Sequence, residues 1–170
     1  MAVIIEGLSV VVRLQTVKEK YEGGLSAYRR ACPNNTFCAD DHLARVGFMV
    51  PDDVRHWVQI LESSGFVPVN ENGFVDLAVV DQREGPTMPC AWLGFGRSDQ
   101  GVAGAWLASQ QPGDLAVPHG WTFERSLSQQ HKFVPKEEAA EQLQWLRRDG
   151  QVDVYLDKRT NQEVYVGRTS

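Results

Sequence analysis

The stretch from Leu43 to Val80 constrains the fold most, because it carries a start and a stop for each of its elements. Leu43, Val46, Phe48 and Val50 form a short apolar, β-prone run, and Pro51 ends it by removing a donor and setting φ for a first helical turn. Asp52 and Asp53 then place negative charge at the positive end of a helix. Val54, Trp57, Val58 and Leu61 recur at i, i+3, i+4 and i+7, so one face of that helix is buried. Gly65 after Ser64 supplies a left-handed stop, and Phe66 is placed to close over Leu61 as a Schellman termination requires. From Phe74, the alternation of Val75, Leu77 and Val79 against Asp76 and Ala78 predicts a strand with one apolar face.

On either side of this unit the chain reads mainly as strands. Val3 to Leu14 is dense in β-branched residues with both alternating faces apolar, which predicts one central strand with a bulge at Gly7. Thr16 and Glu19 fit a capping box, placing a helix start near Val17, with Gly23-Gly24 breaking it before a second segment through Leu25, Tyr28 and Ala31. Pro33-Asn34-Asn35 then turns the chain. Glycine and proline punctuate Asp81 to Gly120, so Cys90–Phe95 and Val102–Ala108 read as an antiparallel pair, followed by a long polar loop over Ser109–Gly120. Pro135 to Arg148 is expected to be a helix, with Glu137, Glu138 and Glu141 in its first turns and Arg147–Arg148 in its last. Val152, Val154 and Leu156, then Val164 and Val166, predict a closing hairpin. The expected fold is a single α+β domain over residues 1–170, mainly antiparallel sheet with two or three packed helices.

A chain of 170 residues with 42% hydrophobic content buries roughly two-thirds of its unfolded surface without staples. Its formal net charge of −5 argues against nucleic acid as a partner, since phosphates are held by clustered lysine and arginine. No apolar run approaches the ~18 to 20 residues of a membrane-spanning helix, and Met1 to Leu14 lacks the basic start and cleavage site of a signal peptide. Three cysteines, an odd number, fit a reducing cytoplasm better than a disulfide framework.

Candidate chemistry is sparse. Cys32, Cys38 and His42 have soft-ligand character but lack the paired spacing of a zinc site, so neither metal nor cofactor is expected. Cys90 with His119 or His131 is the one thiol–imidazole combination, and Pro-Cys-Ala-Trp-Leu around it reads as the start of a buried strand. Gly94, Gly96, Gly101 and Gly104 lack phosphate-loop spacing and read as a hairpin. Asp81 and Arg83, at a strand end beside a glycine-proline turn, and Trp121 and Phe123, after the polar loop, are the candidate binding residues.

From His42 to Arg97, the order strand, helix and three strand-like pieces resembles the βαβββ module of the vicinal oxygen chelate (glyoxalase and extradiol dioxygenase) superfamily, over about a third of the chain. That superfamily's metal sites draw histidine and glutamate from strands; only His42 stands at a suitable strand start, and Ala91–Phe95 holds no glutamate. The resemblance therefore implies a small-molecule binding protein, or an enzyme whose cleft lies among the glycine-rich strands and the Ser109–Gly120 loop. The composition favours the other class, a soluble cytoplasmic protein that binds a protein partner, of the acidic-inhibitor or immunity-protein type.

Overall fold

Gly7 divides the N-terminal apolar run into two strands, Ala2–Ile5 (β1) and Leu8–Arg13 (β2), that belong to different sheets. Its φ of +62° and the collision a Cβ would make with the Phe48 carbonyl oxygen require glycine at this corner. The single central strand expected over Val3–Leu14 is thus corrected: the run is apolar on both faces because each half is buried in its own sheet. The computed structural model describes residues 1–129, 143–149, 152–157 and 161–167.

Strand β2 runs straight into the helix Leu14–Lys20 (α1), and a second helix spans Gly24–Ala31 (α2). The helix starts three residues before the expected Val17: the Leu14 N–H donates to the His42 carbonyl, and Thr16 is buried inside the helix instead of capping it. Next come Cys38–Ala39 (β3), Leu43–Phe48 (β4) and the helix Pro51–Ser63 (α3). The helix ends as expected, with the Phe66 N–H on the Leu61 carbonyl (3.1 Å), the Gly65 N–H on Glu62 (3.0 Å), and Gly65 at φ +101°. Val69–Asn70 (β5) and Gly73–Phe74 (β6) form a short ribbon, followed by Leu77–Asp81 (β7) and Gly85–Pro86 (β8). Leu93–Arg97 (β9) and Ala103–Leu107 (β10) make the expected hairpin, and Leu115–Ala116 (β11) lies within the predicted loop.

Two sheets stack on each other. One has strand order β3-β4-β2-β7-β8, all antiparallel; the other is β11-β1-β10-β9, antiparallel except for β11 beside β1. Register sorts the core: Val10 pairs with Val46 and Val79, and Val12 with Ala44 and Leu77, so one face of the first sheet meets Val17, Tyr28, Val54, Trp57 and Leu61 of the three helices. Its other face, with Val11, Ala78 and Val80, meets Val3, Ile5, Ala103 and Ala105 of the second sheet. The fold is α+β, mostly antiparallel sheet with three α-helices among the described residues.

Three expectations change. Strand β7 starts only at Leu77, and Asp76, expected on a solvent face, is buried against Lys20 Nζ (2.6 Å) while accepting the Val67 N–H (2.7 Å). The stretch 42–97 is not a closed module: β4 and β7 flank β2, which comes from outside it, and β9 belongs to the second sheet. Finally, the C-terminal part of the expected helix is the strand Leu143–Asp149 (β12), which pairs with Val152–Asp157 (β13), itself paired with Gln162–Gly167 (β14). A register shift between Trp145 and Arg147 breaks the period-two pattern there, which is why the segment imitates a helical repeat. Arg147 faces Glu163 across the sheet (2.7 Å) and does not serve a helix end; residues 135–142 of the expected helix lie outside the described residues.

Candidate interaction surface

Glu6, Gln82 and Arg45 bond across the corner where the two sheets meet. The Glu6 carboxylate, at the β1–β2 corner, accepts the Trp121 indole N–H (2.7 Å) on one oxygen and both the N–H (2.6 Å) and hydroxyl (2.5 Å) of Ser128 on the other. Beside it, the Gln82 side chain accepts the Gly7 N–H (2.9 Å) and donates to the Leu127 carbonyl (2.8 Å). Arg45, fully buried, donates to Ser9 Oγ (2.9 Å), the Glu6 carbonyl (2.8 Å) and the Thr36 carbonyl (3.1 Å). Its guanidinium fills the space a side chain at Gly47 would take. Sequence reasoning missed this knot; the signal that could have found it is a lone acid in an apolar run, since buried carboxylates survive only when bonded.

Of the four predicted binding residues, Asp81, Arg83 and Trp121 lie at this corner, and Phe123 packs against the inter-sheet core. Asp81 closes its own turn, Oδ1 accepting the N–H groups of Arg83 (2.7 Å) and Glu84 (3.2 Å), and Arg83 is exposed. Trp121 and Phe123 are half-buried against the inter-sheet core. The Gln82 side chain joins the Asp81–Arg83 turn to Leu127, four residues past Phe123. Arg97 then ties β9 to the same turn through the carbonyls of Gln82 and Arg83 (both 2.7 Å).

The cysteines are free thiols whose surroundings disfavour thiolate. Burial pushes Cys32 up to about 12 and raises Cys38 and Cys90 as well; at Cys90, the N–H groups of Trp92 and Leu93 and the Arg13 guanidinium oppose the shift without reversing it. Among the described residues, no three His, Cys, Asp or Glu side chains cluster as a metal site would require. His131 lies outside the described residues. The glycine-rich hairpin leaves no trough at Gly94 and Gly96, because the Trp106 indole lies against both.

What the surface offers is apolar. Four of the large exposed apolar side chains fall between the end of α3 and Met88: Ile60 (37% exposed), Val67 (45%), Val69 (45%) and Met88 (41%). Two of them are linked through the backbone: Val69 pairs with Phe74, whose N–H donates to the Pro89 carbonyl (2.9 Å) beside Met88. Between Ile60 and Met88 in sequence the exposed charges are Glu62, Glu71, Arg83 and Glu84, three of the four acidic. Two cations, Lys20 (2.6 Å) and Arg13 (3.9 Å), share the single buried carboxylate of Asp76. No family model, curated protein or solved structure matches the chain.

Proposed function

We propose that the protein acts by binding a protein partner with a basic rim around an apolar contact, as small acidic inhibitors and immunity-type proteins do. The observation that carries this reading is the set of exposed apolar side chains Ile60, Val67, Val69 and Met88, with exposed Glu62, Glu71 and Glu84 in the same stretch of chain. Interfaces draw affinity from a few apolar anchors and draw orientation and encounter rate from complementary charge at the rim. A net charge of −5 points the same way. A reducing compartment such as the cytoplasm belongs to the same proposal, supported by the buried free thiol of Cys38.

The test is comparative capture from the host cell by the wild-type chain and by a Val67→Ser/Val69→Ser variant. Both valines are exposed, so the fold tolerates the change. The expected result is a partner held by the wild type, weakened at least about tenfold in the variant and weakened again by high salt. A partner held equally by both chains at all salt concentrations overturns the reading, as does the absence of any specific partner.

A further inference from the structure

The open ends of the two stacked sheets are not alike. Strands β3 and β11 have two residues each, and β8 has two, of which Pro86 cannot donate; β9 has five residues and no proline. Short strands and proline are how proteins blunt a sheet edge, and β9 carries neither. Its ladder has a fixed phase. The Ser98 N–H donates to Val102 (2.9 Å) and the Ala108 N–H to Trp92 (2.8 Å), so Trp92, Gly94, Gly96 and Ser98 turn their amides toward β10. By alternation, Leu93, Phe95 and Arg97 turn theirs away from it. The Leu93 N–H closes loosely on Cys90 (3.4 Å), while no strand among the described residues hydrogen-bonds to the outer side of β9; the Phe95 ring packs on Gly85 of β8, and the Arg97 side chain reaches the carbonyls of Gln82 and Arg83. Gly94 and Gly96 are half-exposed, so the edge reaches solvent.

We propose that this edge pairs with the same edge of a second copy, antiparallel and centred on Phe95, so that one sheet runs through both protomers. The sequence of the edge selects a second copy over a foreign strand. In that register Phe95 opposes itself, Gly94 opposes Gly96, and Arg97 opposes Leu93. The outward amides then meet outward amides, as an isologous two-fold pairing requires. The two guanidinium groups stand at opposite ends, not face to face, so like charges are kept apart. Glycine opposing glycine also leaves room for the Trp106 indole of each chain, which already lies over Gly94 and Gly96. The net charge of −5 on each chain opposes association, so salt should strengthen it. The pairing does not depend on Ile60, Val67, Val69 or Met88, so either proposal can fail alone, although Arg97 of the edge bonds to the Arg83 carbonyl.

Sedimentation from micromolar to sub-millimolar chain concentration, combined with residue-resolved amide exchange, tests it. A concentration-dependent dimer is expected, tighter at higher salt. Gly94 and Gly96 should be protected throughout, while Phe95 and Arg97 exchange fast in dilute solution and slow by about tenfold or more as the dimer forms. Arg97→Pro, which removes an outward donor, should stay monomeric, whereas Arg97→Ala, which loses only the side-chain bonds to the Gln82 and Arg83 carbonyls, should still dimerise. A monomer at every concentration overturns the proposal; so does a dimer in which Phe95 and Arg97 stay fast, or a folded Arg97→Pro chain that dimerises as the wild type does. If Arg97→Pro fails to fold, the wild-type exchange pattern decides.

Discussion

On the helix-covered face of the five-stranded sheet, Tyr28, Trp57, Tyr21 and Phe66 pack edge to face with centroids 5.4 to 6.4 Å apart. Among the described residues the Tyr28 hydroxyl and the Trp57 indole N–H find no hydrogen-bonding geometry, although the two lie close together. On the face turned to the second sheet, Glu6, Arg45 and Gln82 bond to groups as far as 122 residues away in sequence. Shape and apolar area hold the first face. The second depends on each buried donor and acceptor being met, and there the loss of one partner strands the other.

The sharpest break on the helical side is Trp57→Ala. It removes the largest fully buried side chain and is expected to cost about 3 to 5 kcal/mol in denaturant unfolding. A cost below about 0.5 kcal/mol would mean this face is not the core of the helical layer.

On the other side, Glu6→Gln keeps the volume but removes the charge and one acceptor from three donors. We expect about 1 to 3 kcal/mol, with the loss transmitted to the Trp121–Ser128 segment as faster amide exchange at Ser128. A neutral substitution with Ser128 still protected would show that the segment is held by packing alone.

The smallest effect has the opposite sign and separates the two faces most finely. Tyr28→Phe deletes a buried hydroxyl that has no partner, so at neutral pH it should be neutral or stabilising by up to about 1 kcal/mol. Burial, and secondarily Cys32, raises the Tyr28 phenol above its ordinary 10.0. The folded chain therefore keeps a proton that the unfolded chain loses, and stability from this group is complete below pH 10 and declines as pH rises above it. Tyr28→Phe should lessen that alkaline decline, read as a smaller fall in melting temperature above pH 10. An unchanged alkaline limb would place the hydroxyl in contact with solvent.

The same contrast explains what the sequence made legible. The helix Pro51–Ser63 was readable to its last hydrogen bond, because Pro51, the i, i+3, i+4 spacing and Gly65 act within a few residues. The β9–β10 hairpin was readable for the same reason. Glu6 interrupts an apolar run, but nothing local tells it to wait for Ser128. Asp76 looked like a solvent residue because its partner Lys20 is 56 positions away. At Leu143–Asp149 the local pattern was misleading: strand pairing overrode helical spacing, and one register shift hid the alternation.

Gly7 also sets an order of events. Because it sends β1 and β2 into different sheets, the first thirteen residues are completed by segments that arrive at very different times. β2 finds β4 after about forty residues and β7 after about seventy. β1 waits for Ala103–Leu107 and Leu115–Ala116. During synthesis the helical layer and the sheet beneath it have all their parts once residue 86 has emerged. Until then and beyond, Ala2–Ile5 remains an apolar strand without its partners, so the second sheet is the last to have all its parts and its apolar edge is the one left open longest during synthesis.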